Sequence, residues 1–448
     1  MIKPQINVIV NRFLVKQSRF SSPIQKIASV ASLPRNDRVF FKWFFFVVSS
    51  FSILFSQQSN FVTTKGQNIV LPNGKPILLR GINLGNWLVP EGYMFKFTNA
   101  NSPRLINETF AQLLGPDETK KFWKQYRDKY ITKEDIAFIK KIGLNSIRVP
   151  FNYRLFVSED HETRFAGPGF EMLDRVIQWC KEENLYVILD MHCAPGGQTG
   201  DNIDDSFGYP FLFENEEAQQ LTVDLWKEIA KRYANETIVI GYDFLNEPIA
   251  TYFDASKFNH KLEPLYKRIT AAVREVDTNH IVFLGGAQWN NNFSVFGPPF
   301  DKKSVYTYHK YWCDTTQAMV QEYADFGKKY NVPIWMGESG ENTDQWIDAW
   351  RRLNEKNNFG WCFWPYKKMD ATSSIVSIKK TAEWDSVITF ANKPRTSYKE
   401  IREAHPSAEI SKKAFIDYLE NCTFKNCVVN EGYIKALGLK LEKSQLRK

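Results

Sequence analysis

Eight apolar, β-branched runs recur along the middle of this chain, and each closes on polar or aromatic residues. They are ILLRGINLG (77–85), NSIRVPFN (145–152), LYVILDMH (185–192), IVIGYDFLNEP (238–248), HIVFLGG (280–286), SVYTYHKY (304–311), PIWMGESG (333–340) and FGWCFWPYK (359–367). Continuous apolar runs suit parallel strands buried on both faces. Between them lie amphipathic stretches such as ITKEDIAFIKKIG (131–143), EMLDRVIQWCKEEN (171–184), EEAQQLTVDLWKEIAKRYAN (216–235) and LEPLYKRITAAVREVD (262–277). Gly143, Asn184 and Asn235 stand where helix C-caps belong. Eight such runs, most followed by a helical stretch, predict an α/β fold, a (β/α)8 (TIM) barrel. A doubly wound open sheet is the structural rival. It calls for a Gly-rich nucleotide loop after its first strand, and GINLG is not G-x-G-x-x-G.

Two stretches fall outside this count. Residues 86–130 form a long aromatic-rich insertion after the first strand, read as one wall of a cleft. Residues 396–448 read as a C-terminal helical extension packed on the outside of the barrel, with LKLEKSQLRK frayed at its end. The barrel domain is thus expected over 61–395, behind a leader spanning 1–60. That leader holds eight Lys and Arg against Asp37 alone, so nearly all of the +8 net charge resides there. The folded part is electrically balanced and carries no nucleic-acid signature, which argues against a nucleic-acid partner.

Within the leader, Trp43 to Phe55 (WFFFVVSSFSILF) has signal-peptide length and follows Arg38 and Lys42. It is short and serine-rich for a membrane-spanning helix. The reading is a secretory signal, with a signal anchor as the alternative. The protein is therefore expected outside the cytoplasm: secreted, periplasmic, or held at the cell surface through 43–55. Six cysteines in 448 residues make no disulfide scaffold. Cys422 and Cys427 are the one pair read as a bridge, if the chain is exported. No C-x-x-C or H-E-x-x-H pair points to a metal, and no cofactor is expected.

Polar residues accumulate at the C-terminal ends of the runs, where a barrel places its active site. Collected there are Arg148, Asp190, His192, Asn246, Glu247, His309, Tyr311, Glu338 and Trp364. Taken singly they are unremarkable: a Glu-Pro after a strand is usually structural, and a lone strand histidine is usually a satisfied core residue. Together they offer two carboxylic acids, Glu247 and Glu338, at the ends of strands four and seven. Paired carboxyls in unlike surroundings separate into an acid and a nucleophile, the requirement for glycoside cleavage. The stretch GESG also suggests a serine nucleophile elbow, but that motif is Gly-x-Ser-x-Gly and here Gly340 follows Ser339 directly. Thirteen Trp and 15% aromatic residues build a large core or offer stacking platforms for flat ligands such as sugar rings.

With those residues in place, the chain resembles glycoside hydrolase family 5 over residues 65–395. The resemblance rests on RGINLGNWLV (80–89), SIRVPF (146–151), LDMHCAPGGQTG (189–200), FLNEP (244–248), YHKY (308–311), WMGESG (335–340) and CFWPYK (362–367), in that order. It implies that Glu247 is the proton donor and general acid/base, and that Glu338 is the nucleophile of a retaining, cofactor-free hydrolysis. It further implies that Asn246 bonds the sugar 2-hydroxyl, and that Arg148 and Tyr311 orient Glu338 and lower its pKa. His192 and His309 would contact sugar hydroxyls and the acid/base, and Trp364 would floor the cleaved sugar. Asp190 is left as an orienting neighbour. GINLGNWLV and HCAPGGQTGDN are similar to the exo-β-1,3-glucanase branch, from which NWLVPEGYMF departs. The implied substrate is a β-linked oligo- or polysaccharide, a β-glucan, acted on by a monomer. A β-mannanase, a glycolipid-cleaving enzyme and an inactive carbohydrate-binding barrel are the alternatives. The loop QWNNNFSVFGPPF (288–300) is expected to shape outer subsites.

Overall fold

The computed structural model describes residues 60–158 and 165–441. The leader with its apolar stretch 43–55 lies outside the described residues, as does the end of the chain after Leu441. Among the described residues no helix is long and apolar enough to cross a membrane.

A hairpin of β1 (Thr63–Lys65) and β2 (Asn68–Val70) comes first, turning at Gly66, which takes the positive φ the turn requires. Then come β3 (Arg80–Asn83), α1 (Pro103–Leu114), α2 (Pro116–Tyr130), α3 (Lys133–Lys141), β4 (Ser146–Asn152), α4 (Gly169–Glu183) and β5 (Tyr186–Cys193). They are followed by α5 (Glu216–Tyr233), β6 (Val239–Asp243), α6 (Ala255–Arg274), β7 (Ile281–Gly285), β8 (Ser304–His309), α7 (Gln321–Tyr330), β9 (Ile334–Glu338), α8 (Asp344–Lys356) and β10 (Gly360–Phe363). Strands β3 to β10 pair in parallel and close into an eight-stranded barrel, β10 bonding both β9 and β3. All eight apolar runs supply a strand. The eightfold helix alternation is incomplete, because only short turns around Ala287–Asn290 and Phe293–Val295 separate β7 from β8.

Two apolar layers hold this frame. Inside the barrel, Ile188, Ile240, Phe283, Val305 and Trp335 fill the lower half, and Val62 and Ile69 of the hairpin pack beneath them. Outside, the helices bury their apolar faces against the strands, as α4 does with Leu173, Val176 and Cys180. Helix ends follow local chemistry. Asn215 caps α5 by accepting from Ala218 N–H, and Asn184 closes α4 in the left-handed conformation that Asn tolerates.

Beyond β10 the chain turns through β11 (Lys367–Met369) and β12 (Val376–Ile378), then α9 (Ala382–Asn392), α10 (Tyr398–Ala404), α11 (Ala408–Asn421), β13 (Val428–Val429) and α12 (Glu431–Ala436). Strands β11, β12 and β13 form a separate three-stranded sheet. Buried Lys367 ties the parts together. Its Nζ lies 2.8 Å from Asp135 Oδ1 and donates to the carbonyls of Tyr130 (2.6 Å) and Cys422 (2.8 Å). Tyr433 of α12 is buried and donates its hydroxyl to the carbonyl of Trp364 at 3.4 Å.

Two expectations change here. In the insertion, α1 and α2 pack an aromatic cluster against the C-terminal helices, with Phe110 4.7 Å from Phe415 and Tyr126 6.1 Å from Tyr418, so they do not line the cleft. Only the opening part of the insertion, with Glu91 and Tyr93, faces it. Cys422 and Cys427 are both free thiols. Across the short turn Phe424–Asn426, Cys422 Sγ faces the Leu419 carbonyl, while Cys427 Sγ faces the carbonyls of Asn421 and Cys422.

Candidate active site

A pocket of about 630 Å3 opens at the C-terminal end of the barrel. Glu247, Glu338, His192, His309, Tyr311 and Trp364 line it, while Arg148 and Asn246 lie beneath, fully buried. All eight residues read as site residues therefore meet at one place.

Arg148 organises the floor. Its guanidinium donates from Nη1 to Glu338 Oε2 (2.9 Å) and Asn83 Oδ1 (3.1 Å), from Nε to Asp243 Oδ2 (2.8 Å) and from Nη2 to Asn246 Oδ1 (2.8 Å). Nη2 also lies 3.1 Å from Asp190 Oδ1. One cation thus faces three carboxyls, Asp190, Asp243 and Glu338, in a volume without bulk water. It cannot neutralise all three. Burial accordingly pushes Asp190 and Asp243 up to about 7, against the pull of Arg148.

Glu338 ends β9, and its register partner His309 ends β8. Tyr311 donates its hydroxyl to Glu338 Oε1 at 2.8 Å, so both carboxylate oxygens are held. After it, Gly340 takes a φ of +145° and bridges to Trp364, where a Cβ would collide with the Trp364 carbonyl. Glu247 is placed differently. The β6 ladder ends at Asp243, and Glu247 sits four residues on, not at a strand end. It takes a left-handed φ of +46°, and Ile249 takes +59°. The loop after β5 holds this turn: Gln198 Nε2 donates to the Asn246 carbonyl (2.8 Å) and Thr199 Oγ1 to the Glu247 carbonyl (2.8 Å). Left-handed backbone at two non-glycine residues is the kind of strain that surroundings must over-determine.

The two glutamates occupy unlike surroundings. His309 Nδ1 lies 2.9 Å from Glu247 Oε1, and the donor atoms of Glu247, His309 and Glu338 all fall within 4.8 Å of one another. That spacing is one a cation's ligands can adopt, although Arg148 and Tyr311 already engage both oxygens of Glu338. Burial, then the charge of Glu338, raises Glu247 well above the usual carboxylate range. Burial raises Glu338 too, with Arg148, His192 and Tyr311 opposing it. Arg148 and Tyr311 do pull Glu338 down as expected, but burial outweighs them and the net shift is upward. The order of the pair stands: Glu247 holds its proton more tightly. Burial pushes His192 down to about 3 and His309 well below its ordinary value, so both are neutral. His192 donates from Nδ1 to Asp190 Oδ2 (2.8 Å) and accepts at Nε2 from Asn246 Nδ2 (3.3 Å). Asn246 therefore turns its oxygen to Arg148 and its amide nitrogen, through one hydrogen, to His192.

Trp364 lies against His192, centroids 5.5 Å apart and planes 10° from parallel, and donates its indole N–H to Tyr93 Oη at 2.6 Å. Gly85 makes room for the ring, since a Cβ there would sit 2.6 Å from it. Sequence reasoning missed Asn83, Asp243, Glu91, Tyr93 and Glu341. Glu91 is 4% exposed with an unpartnered Oε1, and Glu341 pairs with Lys368 at 2.5 Å. Trp289 and Asn291, from the 288–300 loop, also line the pocket.

Comparison with known proteins places this arrangement. The family model for cellulase (glycosyl hydrolase family 5) matches residues 107–370. A β-xylosidase of Phanerodontia chrysosporium is 34% identical over 269 residues, which is 60% of this chain and 52% of that protein. Endoglucanase C of Acetivibrio thermocellus is 26% identical over 311 residues, 56% of this chain and 88% of that one. A probable glucan 1,3-β-glucosidase A of Aspergillus fumigatus is 29% identical over 280 residues, 60% of this chain and 66% of that one. The chain thus spans about half the length of the xylosidase it matches. Among solved structures, rutinosidase from Aspergillus niger superposes with a TM-score of 0.54 at 18% identity, over 66% of this chain and 92% of the other, which shows a shared fold. With the family model spanning residues 107–370 and both glutamates inside that span, this chain belongs to glycoside hydrolase family 5.

Proposed function

We propose that the protein is a retaining β-glycosidase acting on β-glucans. The observation that carries the mechanism is the spacing of the pair: oxygens of Glu247 and Glu338 lie within 4.8 Å. Retaining enzymes hold their carboxyls about 5–5.5 Å apart, and inverting enzymes need about 6.5–9.5 Å to admit a water. Glu338, ionised and held by Arg148 and Tyr311, attacks the anomeric carbon. Glu247, protonated, gives its proton to the departing oxygen, and the glycosyl–Glu338 ester forms as the glycosidic bond breaks. Neutral His309 can then donate from Nδ1 to the Glu247 carboxylate. Glu247 next takes a proton from water, which attacks the ester and frees Glu338. Asn246 gives one amide hydrogen to His192 and would give the second to the sugar 2-hydroxyl, and Trp364 supplies the flat face beneath the ring.

The β-glucan assignment draws on the endoglucanase and glucan 1,3-β-glucosidase relatives. The β-xylosidase relative supports a β-xyloside as the second reading. Parallel assays on laminarin, lichenan, carboxymethylcellulose, xylan and aryl glucosides and xylosides separate them. Early proton spectra test the mechanism. Initial release of the β-anomer and trapping of a 2-deoxy-2-fluoro glycoside on Glu338 are expected, and initial α-anomer from a β-linked substrate would overturn it. We read 43–55 as the export segment, which fractionation with and without detergent tests: release without detergent marks a cleaved signal, and retention marks an anchor.

A further inference from the structure

A second cavity, of about 220 Å3, opens behind the loops that wall the catalytic pocket. Glu91, Asn202 and Ile203 face the pocket, while their neighbours Pro90 and Asp205 face the second cavity. Among the described residues, three arginines line it, Arg104, Arg127 and Arg154, with one carboxylate, Asp205. Asp205 is already engaged. Its Oδ1 accepts from Arg104 N–H (2.8 Å), and its Oδ2 accepts from Arg154 Nε (3.2 Å) and Asn152 Nδ2 (3.5 Å).

The other two guanidiniums are left short of acceptors. Arg104 lies over the Phe207 ring at 4.1 Å, and its Nε is buried without a hydrogen-bond partner. The Arg127 carbonyl accepts from Trp87 Nε1 and Arg175 Nη2, yet its guanidinium donates to no described residue. Asp128, beside it, is spent on Arg175 (2.8 Å) and Lys124 (3.2 Å). Burial depresses the Arg127 pKa, and Arg175 adds to this against the opposing charge of Asp128. The indole N–H groups of Trp87 and Trp123 bond the Arg127 carbonyl and Asn107 Oδ1, so these rings show the cavity apolar surface. The result is a small concave site with apolar walls and unspent planar cations, a poor place for a charge without its counter-ion.

We propose that this cavity binds an oxyanion, the carboxylate, sulfate or phosphate of a group no larger than one sugar ring. Guanidinium forks match such anions with paired hydrogen bonds. The volume falls below the ~300 Å3 at which drug-sized sites begin, which limits the ligand to one ring or less. The anion arrives free or as part of an acidic sugar. Bound there, it fastens the 88–90 and 205 segments, whose neighbours form the wall of the catalytic pocket.

Calorimetric titration of the full chain at constant ionic strength tests this, with sodium sulfate, sodium phosphate, glucuronate, glucose and chloride as probes. Saturable binding of an oxyanion is expected, with none for glucose or chloride. Glucuronate binding more tightly than the inorganic ions identifies an acidic sugar, and the reverse identifies a free ion. Arg127→Gln and Arg104→Gln should each weaken binding about tenfold or more, the loss of a hydrogen bond to a charged group. If one variant does not fold, the other decides the matter, since both arginines are half-buried. Absence of saturable binding, or affinity unchanged in Arg104→Gln, overturns the proposal.

Discussion

Tyr311→Phe removes one oxygen from the pocket and leaves the ring. In the wild type that oxygen donates to Glu338 Oε1 at 2.8 Å, while Arg148 holds Oε2 at 2.9 Å. A hydrogen bond to a charged group contributes about 1.5–3 kcal/mol, and its loss leaves the carboxylate less favoured than the acid. At 1.36 kcal/mol per pKa unit this corresponds to an upward shift of about 1–2 units for Glu338. Tyr311 lines an open pocket, so water can fill the gap and recover part of the bond, which brings the expected shift near 1 unit. The sign is fixed. The lost bond favoured the ionised form, so Glu338 ionises at higher pH. The acid limb of kcat/KM should move up, with the thermal midpoint little changed. Profiles measured on an aryl β-glucoside, which has no titrating group of its own, give the limb directly. Both limbs belong to the coupled pair Glu247–Glu338, so the comparison is between whole profiles. An acid limb that stays in place, or moves down, refutes the view that Tyr311 holds an ionised nucleophile.

Three further outcomes are expected. Asp190 and Asp243 titrate at about 7 in the fold, against about 3.9 unfolded, so the folded chain holds more protons between those values and stability falls as pH rises through them. Asp243→Asn should flatten that fall in denaturant unfolding at pH 5 and pH 8, and an unaltered slope counts against it. Lys367→Met strands buried Asp135 without its cation and should cost about 3–5 kcal/mol in unfolding free energy, read from the urea midpoint. Trp364→Ala removes the face stacked on His192 and should lower kcat/KM on a glucan about 10–100-fold, the equivalent of ~1.5–3 kcal/mol of lost apolar burial. An unchanged kcat/KM would make Trp364 a purely structural residue.

The eight strands were legible because a parallel barrel buries both faces of each strand, which writes them as unbroken apolar runs. The same continuity hid where β6 stops. Phe244 and Leu245 are as apolar as the ladder residues before them, so nothing marks Asp243 as its last member. Asp243 and Asn83 went unnoticed for a related reason: each lies inside a run, where a single polar residue reads as an interruption. Their meaning comes from Arg148, contributed by a different strand and distant in sequence. Glu91 and Tyr93 lie in a loop with no periodicity to place them. Most runs were read as followed by a helix, and β7, followed only by short turns, is an exception. The Cys422–Cys427 pair was suggested by closeness in sequence, which does not orient the sulfurs, and both are free thiols.

The sheet formed by β11, β12 and β13 bears on how this protein can be cut and recombined. The family match stops at residue 370, between β11 and β12. Yet β12 pairs with β13, and Asn430 donates to the carbonyls of Ala371 and Ser374. Tyr433 reaches the Trp364 carbonyl, and Lys367 reaches Cys422. A fragment ended at the family boundary would keep both glutamates and Arg148 while losing the backing of the segment that carries the aromatic floor. Grafting these loops onto a shorter barrel would carry over the acid and the nucleophile and leave the platform unsupported. The unit that must be inherited together runs past the recognised domain, through α12.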